Sequence, residues 1–291
     1  MERRRVAVVT GSTGGLGACI TQALASQNWD LVLVNRPSER ADGQAESVRE
    51  VSPVSHVQMI GANLLEVDET LRAADQIRAE FGSVDALFNI AGVLTAERVM
   101  SSAGFESHFA INTHAPYIFA TRLRDCLANA ATAEAPSLVV NLSSSAIKSV
   151  RRLDVDALPN PEHIGALTGA YAQSKLALTA MTCMLGPRFA GHHIIMVSVD
   201  PGPMRTGMTT ANSAMPWFLR LLVPVLFRSP ESVAPVLIEA AEHARAERAD
   251  GALISNGKRV KVPANARDPA VHALLNELLE HCTPGESEWG I

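Results

Sequence analysis

Tyr171 and Lys175 stand four residues apart in YAQSK, at the opening of a stretch, Tyr171 to Phe189, patterned as a helix. Side chains at i and i+4 share one helix face, so a phenol and an ammonium can address one ligand. The chain holds only two tyrosines and four lysines, and chance alone gives some Tyr four residues before some Lys about 3% of the time. Its other basic residues are mostly arginine, whereas a lysine is a compact ammonium whose pKa its surroundings can adjust. A second constellation is Thr10 to Gly17, TGSTGGLG, after the apolar run Val6 to Val9. Glycines at 11, 15 and 17 suit a turn where backbone approaches a pyrophosphate and a helix N-terminus faces its charge. Thr13 and Leu16 lie inside that turn. The spacing G-x-x-x-G-x-G departs from G-x-G-x-x-G, and a plain glycine-rich turn is the alternative.

Other polar groups follow apolar runs. Asn35-Arg36 comes after Leu31 to Val34. An acid there would bind the adenosine ribose of NAD, whereas a cation meets the 2′-phosphate of NADP. The pair therefore favours NADP(H), although no basic residue in the glycine loop supports it and Arg36 could equally be a solvated loop charge. Asn63-Leu64 follows Val57 to Ile60, and Asn89-Ile-Ala91-Gly92 closes the run Ala86 to Ile90; singly these are turn residues. Asn112 sits among apolar neighbours in a predicted helix, Phe105 to Leu127, where a buried amide without partners costs about 1 to 3 kcal/mol. Ser143-Ser144-Ser145 follows Leu138 to Leu142, as a loop or as hydroxyls at the mouth of a central strand. Asp200-Pro201-Gly202-Pro203, with Thr206 beyond, follows Ile194 to Val199.

These runs, separated by helical patterns, define the elements that must position such groups. Continuous apolar strands are buried on both faces, so the pattern predicts an α/β fold, a Rossmann-type doubly wound parallel sheet in three αβα layers. Ligands of such sheets gather at the carboxyl ends of the strands. The 291 residues fit one domain, 1–291. A helix over Ser232 to Arg245, a final strand Ala252 to Ser255 and a terminal helix Ala270 to His281 complete it. The long loop about 146–167 is of a length that is often functional, and the apolar stretch within about 203–229 reads as a substrate lid, a subunit contact or a shallow membrane contact, in that order.

Net charge of -5 with 19% charged residues gives no basic footprint for nucleic acid and points to a small-molecule partner. Cys19, Cys126, Cys183 and Cys282 are scattered, without metal spacing; reduced thiols, no metal and a cytoplasmic protein are expected. The short run after Arg3 to Arg5 does not read as a signal peptide. Met215 to Phe227 is broken by Arg220 and Pro224 and falls short of the roughly 20 residues of a transmembrane span.

Taken together, TGSTGGLG, NIAG at 89–92, Asn112, Ser144, Tyr171-x-x-x-Lys175 and Pro201-Gly202 resemble, in order and over nearly the whole chain, the short-chain dehydrogenases/reductases. The gap between Ser144 and Tyr171, WFLRLLVPVLFRSPESVA and the Asp250 to Val262 segment are similar to the retinol dehydrogenase and WW-domain oxidoreductase branch. The resemblance implies an oxidoreductase acting on CH–OH donors, an alcohol/carbonyl enzyme with an apolar substrate. It implies NADP(H) as preferred cofactor, with an NAD(H)-dependent dehydrogenase or a non-catalytic cofactor sensor as alternatives, and a homodimer or homotetramer through helices flanking the sheet. Tyr171 would exchange a proton with the substrate oxygen, helped by Lys175, whose charge favours tyrosinate and whose ammonium reaches the nicotinamide ribose. Ser144, with Ser143 in reserve, would hold that oxygen, and Asn112 would anchor a relay water. Gly11, Gly15 and Gly17 would cradle the pyrophosphate with Leu16 against the cofactor. Asn89, Ala91 and Gly92 would floor the adenosine side, and Pro201, Gly202 and Thr206 would grip the nicotinamide end. Asn63 replaces the family's usual Asp, weakening the expected adenine contact.

Overall fold

The computed structural model describes residues 3–165, 169–204 and 227–285. Seven strands pair in parallel: β1 (Val6–Thr10), β2 (Asp30–Asn35), β3 (Val57–Gly61), β4 (Ala86–Asn89), β5 (Ser137–Leu142), β6 (Ile194–Asp200) and β7 (Ala252–Ser255). An eighth, β8 (Lys258–Val260), turns back antiparallel on β7, so the sheet runs β3-β2-β1-β4-β5-β6-β7-β8. The order reverses between β1 and β4, which opens a crevice at their carboxyl ends. The sequence predicts every parallel strand, and the doubly wound parallel sheet stands; β8 is an addition at its edge, where three residues, two of them charged and exposed, carry no apolar run.

Alternate strand residues feed two apolar cores. Val6, Val8, Val32 and Val34 point to one; Ala7, Val9, Leu31 and Leu33 point to the other. Against the second lie α1 (Gly15–Ser26), α2 (Glu39–Val51) and α8 (Pro230–Ala246), through Ile20, Leu24, Val48, Val233 and Leu237. Against the first lie α3 (Val67–Glu80), α5 (Ala115–Arg122), α7 (Ala170–Ala190) and α9 (Pro269–Cys282), through Ile77, Ile118, Leu176 and Leu279. The result is the expected doubly wound, three-layer arrangement.

The predicted single helix Phe105 to Leu127 is instead four pieces: α4 (Ser107–Phe109), a wide π-turn over Ala110–His114, α5, and α6 (Arg124–Ala130). Pro116 has no N–H to give the Asn112 carbonyl in α-helical register, and the helix widens there. Residues 146–165 are packed: Ile147, Val150, Leu153, Val155 and Leu158 are buried in the first core, after a 3-10 turn at Ser145–Ser149. Thr206 and most of the expected lid, including residues 205–226, lie outside the described residues.

Candidate active site

At the ends of β1 and β2 the site is formed by backbone. The Thr10 hydroxyl accepts from the Ile90 and Ala91 N–H groups, both at 3.2 Å, and fixes the end of β1 to that of β4. Gly11, with φ +70°, lies so close that a Cβ would stand 2.7 Å from the Ala91 Cα. At Gly17 a Cβ would meet the Gly11 carbonyl oxygen at 2.2 Å. Gly14 precedes α1 with no side-chain cap, and the first turn holds no acid, so no side chain answers the N–H groups that open the helix, the electrostatics an anion requires. Leu16 is buried with Ile20 and Leu24, which leaves its backbone rather than its side chain for a ligand.

Asn35 closes β2 and ties down the loop. Its amide donates to the Ser12 hydroxyl at 2.7 Å and its carbonyl accepts from the Thr13 N–H at 3.3 Å. Arg36 beside it is exposed. At the end of β3, the Asn63 N–H donates to Glu69 at 2.8 Å, while its side-chain oxygen accepts only a 3.4 Å bond from the Leu65 N–H; Leu64 is buried.

Across the crevice the site is formed by buried side chains. Asn89 donates to Asn141 at 2.8 Å, Asn141 donates to Thr182 at 2.9 Å, and Ser198 donates to Thr182 at 2.9 Å. This polar seam joins β4, β5, β6 and α7, and leaves the Asn89 carbonyl oxygen buried without a partner. Asn112, in the π-turn, accepts from the Val93 N–H at 2.8 Å and donates to the Val93 carbonyl and the Ser174 hydroxyl, each at 3.0 Å. A Cβ at Gly92 would stand 3.2 Å from the Asn112 oxygen and 3.4 Å from the Lys175 Nζ. Gly92, Asn112 and Lys175 therefore converge.

The serines separate cleanly. Ser143 is buried and bonded to Thr179 at 2.8 Å, so it does not serve as the reserve for Ser144. Ser144 caps the 3-10 turn by accepting from the Ala146 N–H at 3.2 Å and lies near enough to Tyr171 for its side chain to lower the phenol's pKa. Burial pushes the Tyr171 phenol above its usual pKa; the Ser144 side chain pulls it back in part and Asp200 raises it further. This is opposite to the lowering expected from Lys175. Lys175 is only 3% exposed and donates to the Leu142 carbonyl at 2.6 Å, and burial brings its pKa down to about 7. A half-discharged ammonium exerts a weak pull on a phenol.

At the end of β6, Asp200 accepts from the Gly202 N–H and the Ser255 hydroxyl, both at 2.9 Å. Pro201 and Gly202 are thereby held at the carboxyl end of β6; Gly202, at φ +74°, leaves no room for a Cβ, which would meet the Asn256 oxygen at 2.3 Å. Sequence reading missed Thr10, Asn141, Glu106 and His108. The last two are fully buried beside Tyr171, and the one available signal was an acid and a histidine within the apolar FESHFAIN.

The sequence signature of the family described as short chain dehydrogenase matches residues 5–153. Human retinol dehydrogenase 13 is 30% identical over 235 residues, which cover 79% of this chain and 70% of that protein. Human polyprenol dehydrogenase is 27% identical, covering 95% of this chain and 82% of that one. Among solved structures, the Pseudomonas aeruginosa RhlG/NADP active-site complex superposes with a TM-score of 0.68 at 26% identity, over 86% of this chain and 94% of RhlG.

Proposed function

Since the chain belongs to the short-chain dehydrogenase family of oxidoreductases, we propose that it interconverts an apolar alcohol and its carbonyl, with NADP(H) preferred and Tyr171 exchanging the proton. The observation that carries this reading is the convergence of Lys175, Gly92 and Asn112 at the carboxyl ends of β4 and β5, one turn along α7 from Tyr171, whose pKa the Ser144 side chain lowers. The close-packed glycines seat the loop's backbone against itself and Ala91 and leave the start of α1 without a side-chain cap, which fits a dinucleotide whose nicotinamide, when bound, supplies or accepts the hydride.

In this reading Gly11, Gly15 and Gly17, with the N–H groups that open α1, hold the pyrophosphate. Arg36, whose guanidinium makes no hydrogen bond or ion pair among the described residues, meets the 2′-phosphate. RhlG, solved with NADP, supports the same choice. Asn63 and Leu64 flank the adenine; Asn89, Ala91 and Gly92 form the floor; Pro201, Gly202 and Thr206 close on the nicotinamide end. Ser144 donates to the substrate oxygen, and Tyr171 delivers its proton to that oxygen as alkoxide charge develops. A phenol held protonated by burial suits the reducing direction. Lys175 returns the proton, and the Asn112 carbonyl, which Pro116 cannot bond in helical register, anchors the water that supplies it. The names retinol dehydrogenase and polyprenol dehydrogenase support a long apolar substrate. All four cysteines are free, in keeping with a cytoplasmic setting, and no helix among the described residues is long and apolar enough to cross a membrane.

The test follows NADPH absorbance with decanal, all-trans-retinal, an aromatic aldehyde and a steroid ketone, and repeats each with NADH. Turnover of an apolar carbonyl faster with NADPH supports the proposal. Faster reaction with NADH reassigns the cofactor, and tight NADPH binding without any turnover replaces the enzyme with a cofactor sensor.

A further inference from the structure

We infer that Glu106 and His108 form a positioning pair that holds the Tyr171 ring in place for proton exchange, an inference that rests on the role proposed for Tyr171. Both residues are 0% exposed. The Glu106 carboxylate accepts from the His108 N–H at 2.9 Å and the Ser107 hydroxyl at 2.8 Å, and the His108 Nδ1 lies 3.0 and 3.1 Å from its two oxygens. On the far side of the ring the Thr95 N–H donates to His108 Nε2 at 3.2 Å. A backbone N–H can only donate, so Nε2 is an acceptor and the ring proton sits on Nδ1, directed at Glu106. Burial pushes the Glu106 carboxyl up, but the bonds from His108 and Ser107 outweigh it and hold the group below the usual carboxylate range. The pair is an anion and a neutral imidazole with both nitrogens engaged.

His108 therefore has no proton to offer a substrate, and its effect is mechanical. Its ring meets Tyr171 edge-on, centroids 6.1 Å apart at 75°. The segments around the pair are joined to one another: Glu106 N–H donates to the Pro159 carbonyl at 2.7 Å, Ser107 N–H to the Val99 carbonyl at 2.9 Å, and Arg98 to Asn160 at 2.6 Å and to the Pro161 carbonyl. Thus the segment after β4, the 146–165 loop and α4 form one wall, tied to α7 through Gln173, and in it His108 meets the Tyr171 ring edge-on. Proton transfer needs the phenol oxygen at about 2.6–3.2 Å from its partner, and a displacement of about 1 Å can cost on the order of 100-fold in rate. A pair that only capped α4 would leave the chemical step untouched.

The test compares wild type, His108→Leu, His108→Gln and Glu106→Gln in kcat, KM and NADPH affinity, using whichever of decanal or all-trans-retinal the wild type reduces faster. His108→Leu is expected to lower kcat by about 30-fold with the NADPH dissociation constant within about two-fold. His108→Gln, able both to donate to Glu106 and to accept from Thr95, should recover all but about three-fold of that loss. Where His108→Leu does not fold, Glu106→Gln decides, with an expected kcat loss of about five-fold. An unchanged kcat, or kcat and NADPH affinity falling in parallel, overturns the inference. Failure of the underlying role shows separately, as Tyr171→Phe turning over like the wild type or as a wild type that reduces neither carbonyl.

Discussion

On one side of the crevice, around Gly11 and Gly17, contacts of backbone against backbone leave room for nothing larger than hydrogen, and helix α1 offers bare N–H groups. On the other, Asn89, Asn112, Asn141, Ser143 and Lys175 are buried polar side chains, each answered by a named partner. The first side is built by the absence of side chains, and the second by their presence in fixed positions. Backbone recognition binds a phosphate whatever the neighbouring side chains. A reacting oxygen needs donors and proton carriers at set positions. Substitutions on the two sides should therefore fail differently: the first in binding, the second in turnover.

The largest expected effect tests the second side. Tyr171→Phe should lower kcat by about 1,000-fold or more, since general acid–base groups contribute about 100- to 10,000-fold, with NADPH titration by fluorescence nearly unchanged. Comparable loss of cofactor affinity would erase the division. Next comes the first side, where Gly17→Ala places a methyl 2.2 Å from the Gly11 oxygen. NADPH affinity should fall by about 100-fold, the size of one strained backbone contact of about 1–3 kcal/mol, with far-UV circular dichroism showing the fold intact.

A smaller effect is read as stability against pH in the cofactor-free protein. Lys175 is brought from 10.5 down to about 7 by burial. Above that value the folded protein carries the neutral amine while the unfolded chain still binds a proton, so stability rises with pH across the interval. Between pH 7 and 8, below the ordinary thiol value of 9.0 from which the buried cysteines begin to act in the opposite sense, urea unfolding should show a gain of about 1 kcal/mol. Lys175→Met should flatten it; a variant with the same slope would mean that the amine keeps its charge in the fold. Smallest is Arg36→Leu, expected to weaken NADPH by about ten-fold, as for one lost charge-assisted bond of about 1.5 kcal/mol, and to leave NADH within two-fold. Equal losses for both cofactors in paired titrations would show that Arg36 does not read the phosphate.

The same division governs what sequence alone makes legible. The glycine loop and the parallel strands could be read because each depends on local chemistry: apolar runs, and glycines where only hydrogen fits. Tyr171 and Lys175 were legible because one helix fixes their spacing. The π-turn at Asn112 was not, since the apolar pattern from Phe105 runs through it and Pro116 was its only trace. Nor was the choice between Ser143 and Ser144, which Thr179 makes from 36 residues away. Asn35 could be read as a missing acid but not as the tie between β2 and Ser12. Glu106 and His108 went unread because Thr95, Pro159 and Tyr171 create their environment, and none of them is adjacent in sequence.

His114 closes the π-turn two residues after Asn112. It stacks on Phe109, centroids 5.5 Å apart, and its Nε2 donates to the Thr283 hydroxyl at 2.9 Å, across 169 residues of chain. During synthesis at about 5–20 residues per second, Thr283 leaves the ribosome on the order of ten to thirty seconds after His114. The glycine loop and the strand ends beside it have long been made by then. The turn that carries Asn112 is thus locked only after the C-terminal helix has been made, last of all the parts of the site.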